Sequence, residues 1–176
     1  GNAIDGEVAV VLENVDTGDV IPATVDANGD YTAADVPAGN YRAKASANGY
    51  RPTSAPTVTV NVGKTSSVQP IEMAKVAAKD AKVSGKVTNT AGDPIEGAVV
   101  EMVDDNDSEK FVVFVTNEKG EFSGEAALGA YTATVSKDDG NYVAKSGLKW
   151  DVTDADGHSF NVVLDSKPVS YTHLTL

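Results

Sequence analysis

Along this chain apolar residues recur at every second position in short runs, and the runs are separated by Gly, Asp and Asn. This is the strand period, in which successive side chains face opposite sides of a sheet. Val8, Val10 and Leu12 alternate with Ala9, Val11 and Glu13. Because Ala9 and Val11 are apolar too, both faces of this first strand are predicted to be dry. After the turn Asp16-Thr17-Gly18-Asp19, residues 20–25 form a return strand in which Pro22 points to an edge or a bulge. Asp26-Ala27-Asn28-Gly29 closes a hairpin into a short strand at Tyr31, and Val36-Pro37-Ala38-Gly39 turns the chain into the next. There Tyr41, Ala43 and Ala45 face the core, and Arg42 and Lys44 are predicted to face water. Val58, Val60 and Val62 alternate with Thr57, Thr59 and Asn61, and residues 68–73 are predicted as a last strand.

Residues 74–81, AKVAAKDA, tolerate a helix but lack a sustained 3.6 period, and read as a linker too short for wide independence of its flanks. A second set of strands follows at 83–88, at Ala98, Val100 and Met102, and at 111–115. It continues through Tyr131-Ala133-Val135, Leu148-Trp150-Val152 and Phe160-Val162-Leu164. Seven short strands spaced by turns predict an antiparallel sandwich. The two halves are copies. VDANGDYTAADVPAGNY at 25–41 returns as TNEKGEFSGEAALGAY at 116–131, with Asn117, Gly120, Phe122, Gly129 and Tyr131 in the places of Asp26, Gly29, Tyr31, Gly39 and Tyr41. The predicted organisation is a first module at 1–73, the linker at 74–81, a second module at 82–167 and a tail at 168–176.

Composition narrows the function classes. The 176 residues are 41% hydrophobic and carry a net charge of −12. The acidic excess is shared, −5 over residues 1–73 and −7 over 74–176. With no basic face in either half, nucleic acid and anionic membrane are poor partners. Absence of cysteine excludes disulfides and thiolate chemistry. No apolar run approaches the roughly 20 residues of a membrane span. The acidic, strand-rich, cysteine-free character suits an extracellular or cell-surface protein, whose signal peptide would already have been removed from this chain.

At GKVTNTAGDPIEGAVVEM (85–102), followed by TNEKGEF and GAYTATVS, the second module resembles the carboxypeptidase regulatory-like domain. The resemblance implies a transthyretin-like, Ig-like β-sandwich related in shape to the B-type repeats of collagen-binding adhesins. The first module shares the pattern through VLENVDTG, VDANGDY, VPAGNY and ANGY. Fold class is thus expected to be all-β, two tandem seven-strand-type antiparallel sandwiches. The first is expected to lack its first strand, because 83–88 has almost no counterpart before Val8, where only Ile4-Asp5-Gly6 echoes Ile95-Glu96-Gly97. Domains of this kind occur as non-catalytic parts of secreted enzymes, receptors and adhesins, so the resemblance specifies fold rather than function. An open edge at Val8, Val10 and Leu12 is the expected interaction surface, to be filled by a strand from another copy in a homo-polymer. Residues 168–176, PVSYTHLTL, resemble the translated read-through of a sequencing adapter, in which case the true chain diverges near Lys167. Read as genuine sequence, their alternation makes a terminal strand fit to be a donor.

Catalytic chemistry has little to stand on. The two histidines are His158 in a turn and His173 in the tail, and no serine elbow or helical His pair is present. No cofactor is expected. Calcium is the one metal the composition suits, at Asp104, Asp105, Asp107 and Glu109, where four acids fall in six residues. Asp26-Asn28-Asp30 and Asp151-Asp154-Asp156 are looser clusters, and turn capping explains Asp26 and Asn28 equally well. Lys86 and Asn161 lie on the first and last strands of the second module, where a Lys–Asn isopeptide bond would sit, but alternation points both outward. Asn106-Asp107-Ser108 has the form of a glycosylation sequon. Trp150, Tyr41 and Tyr131 fall at inward positions and read as core rather than as a sugar platform. The expected function is a non-enzymatic extracellular structural protein, a self-assembling fibre or stalk subunit joined by strand complementation. The alternative is a spacer, or an accessory module of a larger secreted enzyme or receptor that binds a cell-surface glycan or protein.

Overall fold

The structure, a computed structural model, describes residues 8–47, 50–74, 80–138, 140–153 and 157–167. The first module contributes β1 (Val8–Asn14), β2 (Val20–Pro22), β3 (Thr24–Val25), β4 (Tyr31–Thr32), β5 (Gly39–Ala47), β6 (Thr53–Ser54) and β7 (Val58–Val60). The second contributes β8 (Asp80–Asn89), β9 (Val99–Asp104), β10 (Phe111–Val115), β11 (Glu121–Ala127), β12 (Gly129–Ser136), β13 (Lys145–Val152), β14 (His158–Ser159) and β15 (Val162–Leu164).

Both modules build one large sheet on the same plan. In the first, the order is β2-β1-β5, with β6 and β7 both on the far side of β5; in the second it is β10-β9-β12-β13. The repeated hairpin closes identically in both. Asp26 Oδ1 accepts from the N–H groups of Asn28 and Asp30, and Asn117 Oδ1 accepts from Lys119 and Glu121, at 2.8–3.0 Å. Gly29 and Gly120 supply the positive φ that each turn requires, 84° and 71°. The sequence repeat is thus a repeat of hydrogen bonds.

The second sheet is where the modules part. In the second module β8 is central, antiparallel to all seven residues of β11 on one side and parallel to β14 and β15 on the other. The expected antiparallel sandwich thus carries two short parallel pairs beside β8. In the first module the matching sheet consists of β3 and β4, two residues each. Residues 61–74, predicted to hold a strand, carry none. The reason is backbone pairing: β14 and β15 form ladders with β8, and among the described residues no strand stands in that position for the 68–73 segment to join. Its side chains still pack, with Val68, Ile71 and Met73 half-buried against the core, whereas Val62, predicted inward, is 86% exposed.

The dry outer face of β1 has a partner. Val11 is fully buried in a cluster with Val99, Phe111 and Val113 of the second module. Lys44, predicted to face water, is 5% exposed in the same contact. Its ammonium bonds Glu101 at 3.0 Å and Glu13 at 3.4 Å and lies 4.4 Å from the Phe111 ring centre. Alternation told correctly that Lys44 leaves the module core, but the opposite face abuts another module rather than solvent. Arg42, farther along β5, is partly exposed and pairs with Glu13 at 3.2 Å. Ser46 completes the contact: its hydroxyl donates to the Val113 carbonyl at 2.8 Å and accepts from the Val113 N–H at 2.9 Å. Val113 lies on edge strand β10, so one side chain of the first module caps the open edge of the second. The predicted linker also shortens, because β8 begins at Asp80 and Ala81 is fully buried in the second core.

Ser46→Ala strands both backbone groups of Val113 in a buried place, a cost of about 1–3 kcal/mol. Urea unfolding should register that loss and should split one transition of the full chain into two. An unchanged midpoint with one transition would show that this contact does not couple the modules.

Candidate functional site

The two cores differ in completeness. Eighteen residues are buried together in the second module, and Ala81, Val83 and Val87 of β8 are among them. Among the described residues of the first, six are buried, ringed by twelve partly buried hydrophobic residues. The deficit concentrates at a groove of about 720 Å³, floored by Leu12, Ala23, Val58 and Val60. Its walls are residues 29–36, which include β4, and residues 63–68. These walls correspond to β11 and to the β14–β15 side of the second module, the elements that hold β8 between them. Among the described residues of the first module no strand lies between these walls.

Tyr31 spans it. It stands where the repeat puts Phe122, and its hydroxyl donates to the Gln69 carbonyl on the opposite wall at 3.1 Å. Burial pushes the Tyr31 pKa up. Asp35 on the same wall adopts a positive φ of 55°, uncommon for a residue other than glycine.

The interaction surface expected at Val8, Val10 and Leu12 is corrected. β1 is an inner strand, paired with β2 through Val11–Pro22, Leu12–Ile21 and Glu13–Val20 and with β5 along its whole length. Val10 and Leu12 are buried in the core. The expectation placed the missing strand beside its neighbour in sequence. In the second module, however, β8 and β9 lie in different sheets, and the chain crosses between them at 90–98. The gap consequently opens next to β4, in the other sheet.

Three acids of the candidate calcium cluster, Asp104, Asp105 and Asp107, accept hydrogen bonds from protein groups. Asp104 is buried; its Oδ1 accepts from the Asn106 and Asp107 N–H groups at 2.8 and 3.2 Å, and Oδ2 pairs with Lys110 at 3.3 Å. The Asn106 amide first, and the Lys110 ammonium with it, hold its pKa below the usual value. Asp105 accepts from the Thr132 hydroxyl and pairs with Lys149, which lower its pKa as well. Asp107 accepts from the Glu109 N–H at 3.0 Å, and Glu109 is exposed. Among the described residues no group of three or more His, Cys, Asp or Glu is placed to hold a metal ion. Asp154 and Asp156 of the third cluster, and His173, lie outside the described residues. Lys86 and Asn161 are exposed, as alternation predicts, and Asn161 Oδ1 accepts from the Lys86 backbone N–H rather than facing its ammonium. Trp150 is inside, stacked on Phe160 at 4.5 Å and on Phe122 at 6.3 Å. No helix among the described residues is long and apolar enough to cross a membrane.

A second cleft, about 570 Å³, lies between the modules along β10 and β11, with Tyr50, Arg51 and Pro52 of the first module on its rim.

The lowered Asp104 pKa fixes the sign of an acid effect. A carboxyl with a folded value below its unfolded 3.8 stabilises the fold above that pH, and the contribution disappears as pH falls through the folded value. Asp104→Asn should cost on the order of 1 kcal/mol near neutrality and flatten the stability profile below pH 4. Equal acid slopes in variant and parent would contradict this assignment.

Comparison with known proteins bears on the fold. The model of the carboxypeptidase regulatory-like domain matches residues 1–74 and again 82–165. No curated protein matches the chain. Among solved structures, the minor pilin GBS52 of Streptococcus agalactiae is 13% identical with a TM-score of 0.45, over 99% of this chain and 89% of that one. The shaft pilin SpaA of Lactobacillus rhamnosus GG is 12% identical with a TM-score of 0.43, over 94% and 90%. Chlorocatechol 1,2-dioxygenase of Pseudomonas putida is 11% identical with a TM-score of 0.41, and the match spans 51% of this chain and 62% of that enzyme. With the family pattern matched once in each sandwich, this chain belongs to the carboxypeptidase regulatory-like domain family, as a tandem pair.

Proposed function

We propose that this chain is a non-enzymatic structural subunit of the cell surface, and that copies join when a strand of one fills the groove in the first module of the next. The observation that carries the reading is the groove itself, bounded by walls whose counterparts hold a strand between them in the second module. A strand burying three side chains there, as β8 buries Ala81, Val83 and Val87, would contribute on the order of 5 kcal/mol of apolar burial, besides pairing the backbone of β4 and of the 68–73 segment. The contact between modules supports a structural role, since Lys44, Ser46 and Val11 hold one sandwich against the other. The extracellular setting rests on the acidic, cysteine-free composition.

The purified chain should form end-to-end oligomers whose length grows with concentration, read by light scattering and negative-stain microscopy. Fusing a copy of residues 80–98 ahead of Val8, which supplies a β8-like strand within the same chain, should return it to a monomer. A parent chain that stays monomeric at high concentration would sink the fibre reading in favour of a spacer within a larger secreted protein.

A further inference from the structure

The larger sheet of the second module has two edges. Edge strand β10 is covered at Val113 by Ser46 of the first module. At the other end β13 pairs with β12, and among the described residues no strand lies along its outer side. Which of its backbone groups face outward follows from the register. The Asp105 N–H donates to the Ala130 carbonyl, so Ala130 and Thr132 turn their backbone groups toward β9, and Tyr131 and Ala133 turn theirs toward β13. Trp150 and Leu148, opposite Tyr131 and Ala133, therefore face β12, and Lys149 and Asp151 present N–H and C=O groups to the outer side.

The side chains of those two residues carry opposite charge. Both lie on the solvent face, while Trp150 and Val152 are buried and Leu148 is half-buried against the core. Lys149 pairs with Asp105 yet keeps a side chain 68% exposed, and Asp151 is exposed with no ion pair among the described residues. When two copies of such a strand meet antiparallel about a two-fold axis, an outward residue must meet an outward residue, which leaves few registers. Centred on Lys149, the pairing sets ammonium against ammonium, and centred on Asp151 it sets carboxylate against carboxylate. Centred on Trp150, it puts Lys149 of each copy opposite Asp151 of the other, in hydrogen-bonded pairs with Cα atoms about 5.5 Å apart. The same register sets Leu148 opposite Val152 of the other copy and covers the half-buried leucine. Before Leu148 the strand loses its regular register and Gly147 adopts a positive φ of 70°, which confines the pairing to residues 148–152.

We infer that β13 is a dimerisation edge, through which two copies of this chain pair antiparallel with Trp150 at the two-fold axis. The contact is independent of the groove in the first module. It is closed by its symmetry and stops at two copies, whereas head-to-tail joining continues.

Two charge variants of the full chain test this. Asp151→Lys sets Lys149 against a lysine, and Lys149→Glu sets a glutamate against Asp151, so each variant should self-associate about tenfold or more weakly than the parent in analytical ultracentrifugation. An equimolar mixture of the two restores both opposite-charge pairs and should dimerise as the parent does. Amide exchange reads the edge itself. In the dimer the Lys149 and Asp151 N–H groups should be protected, and on dilution they should lose protection while Leu148 and Trp150, facing β12, keep theirs. Joining through the groove leaves this alternation untouched, so the two readings fail separately. A parent that does not self-associate, variants that associate as tightly as the parent, or fast exchange of Lys149 and Asp151 in the associated state would overturn the inference. So would protection of these two amides at every concentration, which would put another segment of the same chain, such as residues 168–176, on the edge.

Discussion

Everything distinctive about this chain follows from the backbone groups of one strand position. An inner β-strand satisfies facing N–H and C=O groups of both neighbours at once, and each neighbour loses that ladder without it. The second module has that strand in β8, and β11, β14 and β15 form along it. In the first module no strand among the described residues occupies the position. Its β4 shrinks to two residues, the segment at 68–73 packs its side chains without joining a ladder, and hydrophobic residues around the groove stay half-exposed. One absent ladder accounts for all three differences between copies that otherwise share their turns and their larger sheet.

The junction between modules solves a related problem in the opposite way. Edge strand β10 is blunted by Ser46, whose single hydroxyl stands in for a neighbouring strand at Val113. Around it, Val11 removes apolar surface from water, and Lys44 is held between two carboxylates, Glu13 and Glu101, so that its buried charge is paired. The chain thus closes one exposed edge internally, whereas none of the described residues fills the groove in the other module. That asymmetry is what gives the groove its interest as a joint between copies.

Much of this was legible in the residues. Asp26 to Gly29 and Asn117 to Gly120 announced the same hairpin, because Asx side chains and a positive-φ glycine leave a pattern that composition alone preserves. Tyr41, Tyr131 and Trp150 fell at core positions as alternation requires. The unequal openings of the two copies pointed to a difference at this strand position, but not to its location: alternation reports which face a residue takes, never which sheet a strand joins. Lys44 was misjudged for a similar reason, since a period of two separates one face from the other without saying whether solvent or a second module covers it. Tyr31 went unmarked as a site residue, although the repeat put it in the place of Phe122.

Backbone amide hydrogen exchange across the first module, in native assemblies at high concentration, addresses the strand position most directly. A filled groove predicts that amides at residues 31–36 and 66–73 exchange as slowly as those of β11, β14 and β15, and that this protection disappears on dilution to monomer. Fast exchange of both segments in the assembled protein, with β1 and β5 protected, would show that copies associate without filling the groove and would contradict the account.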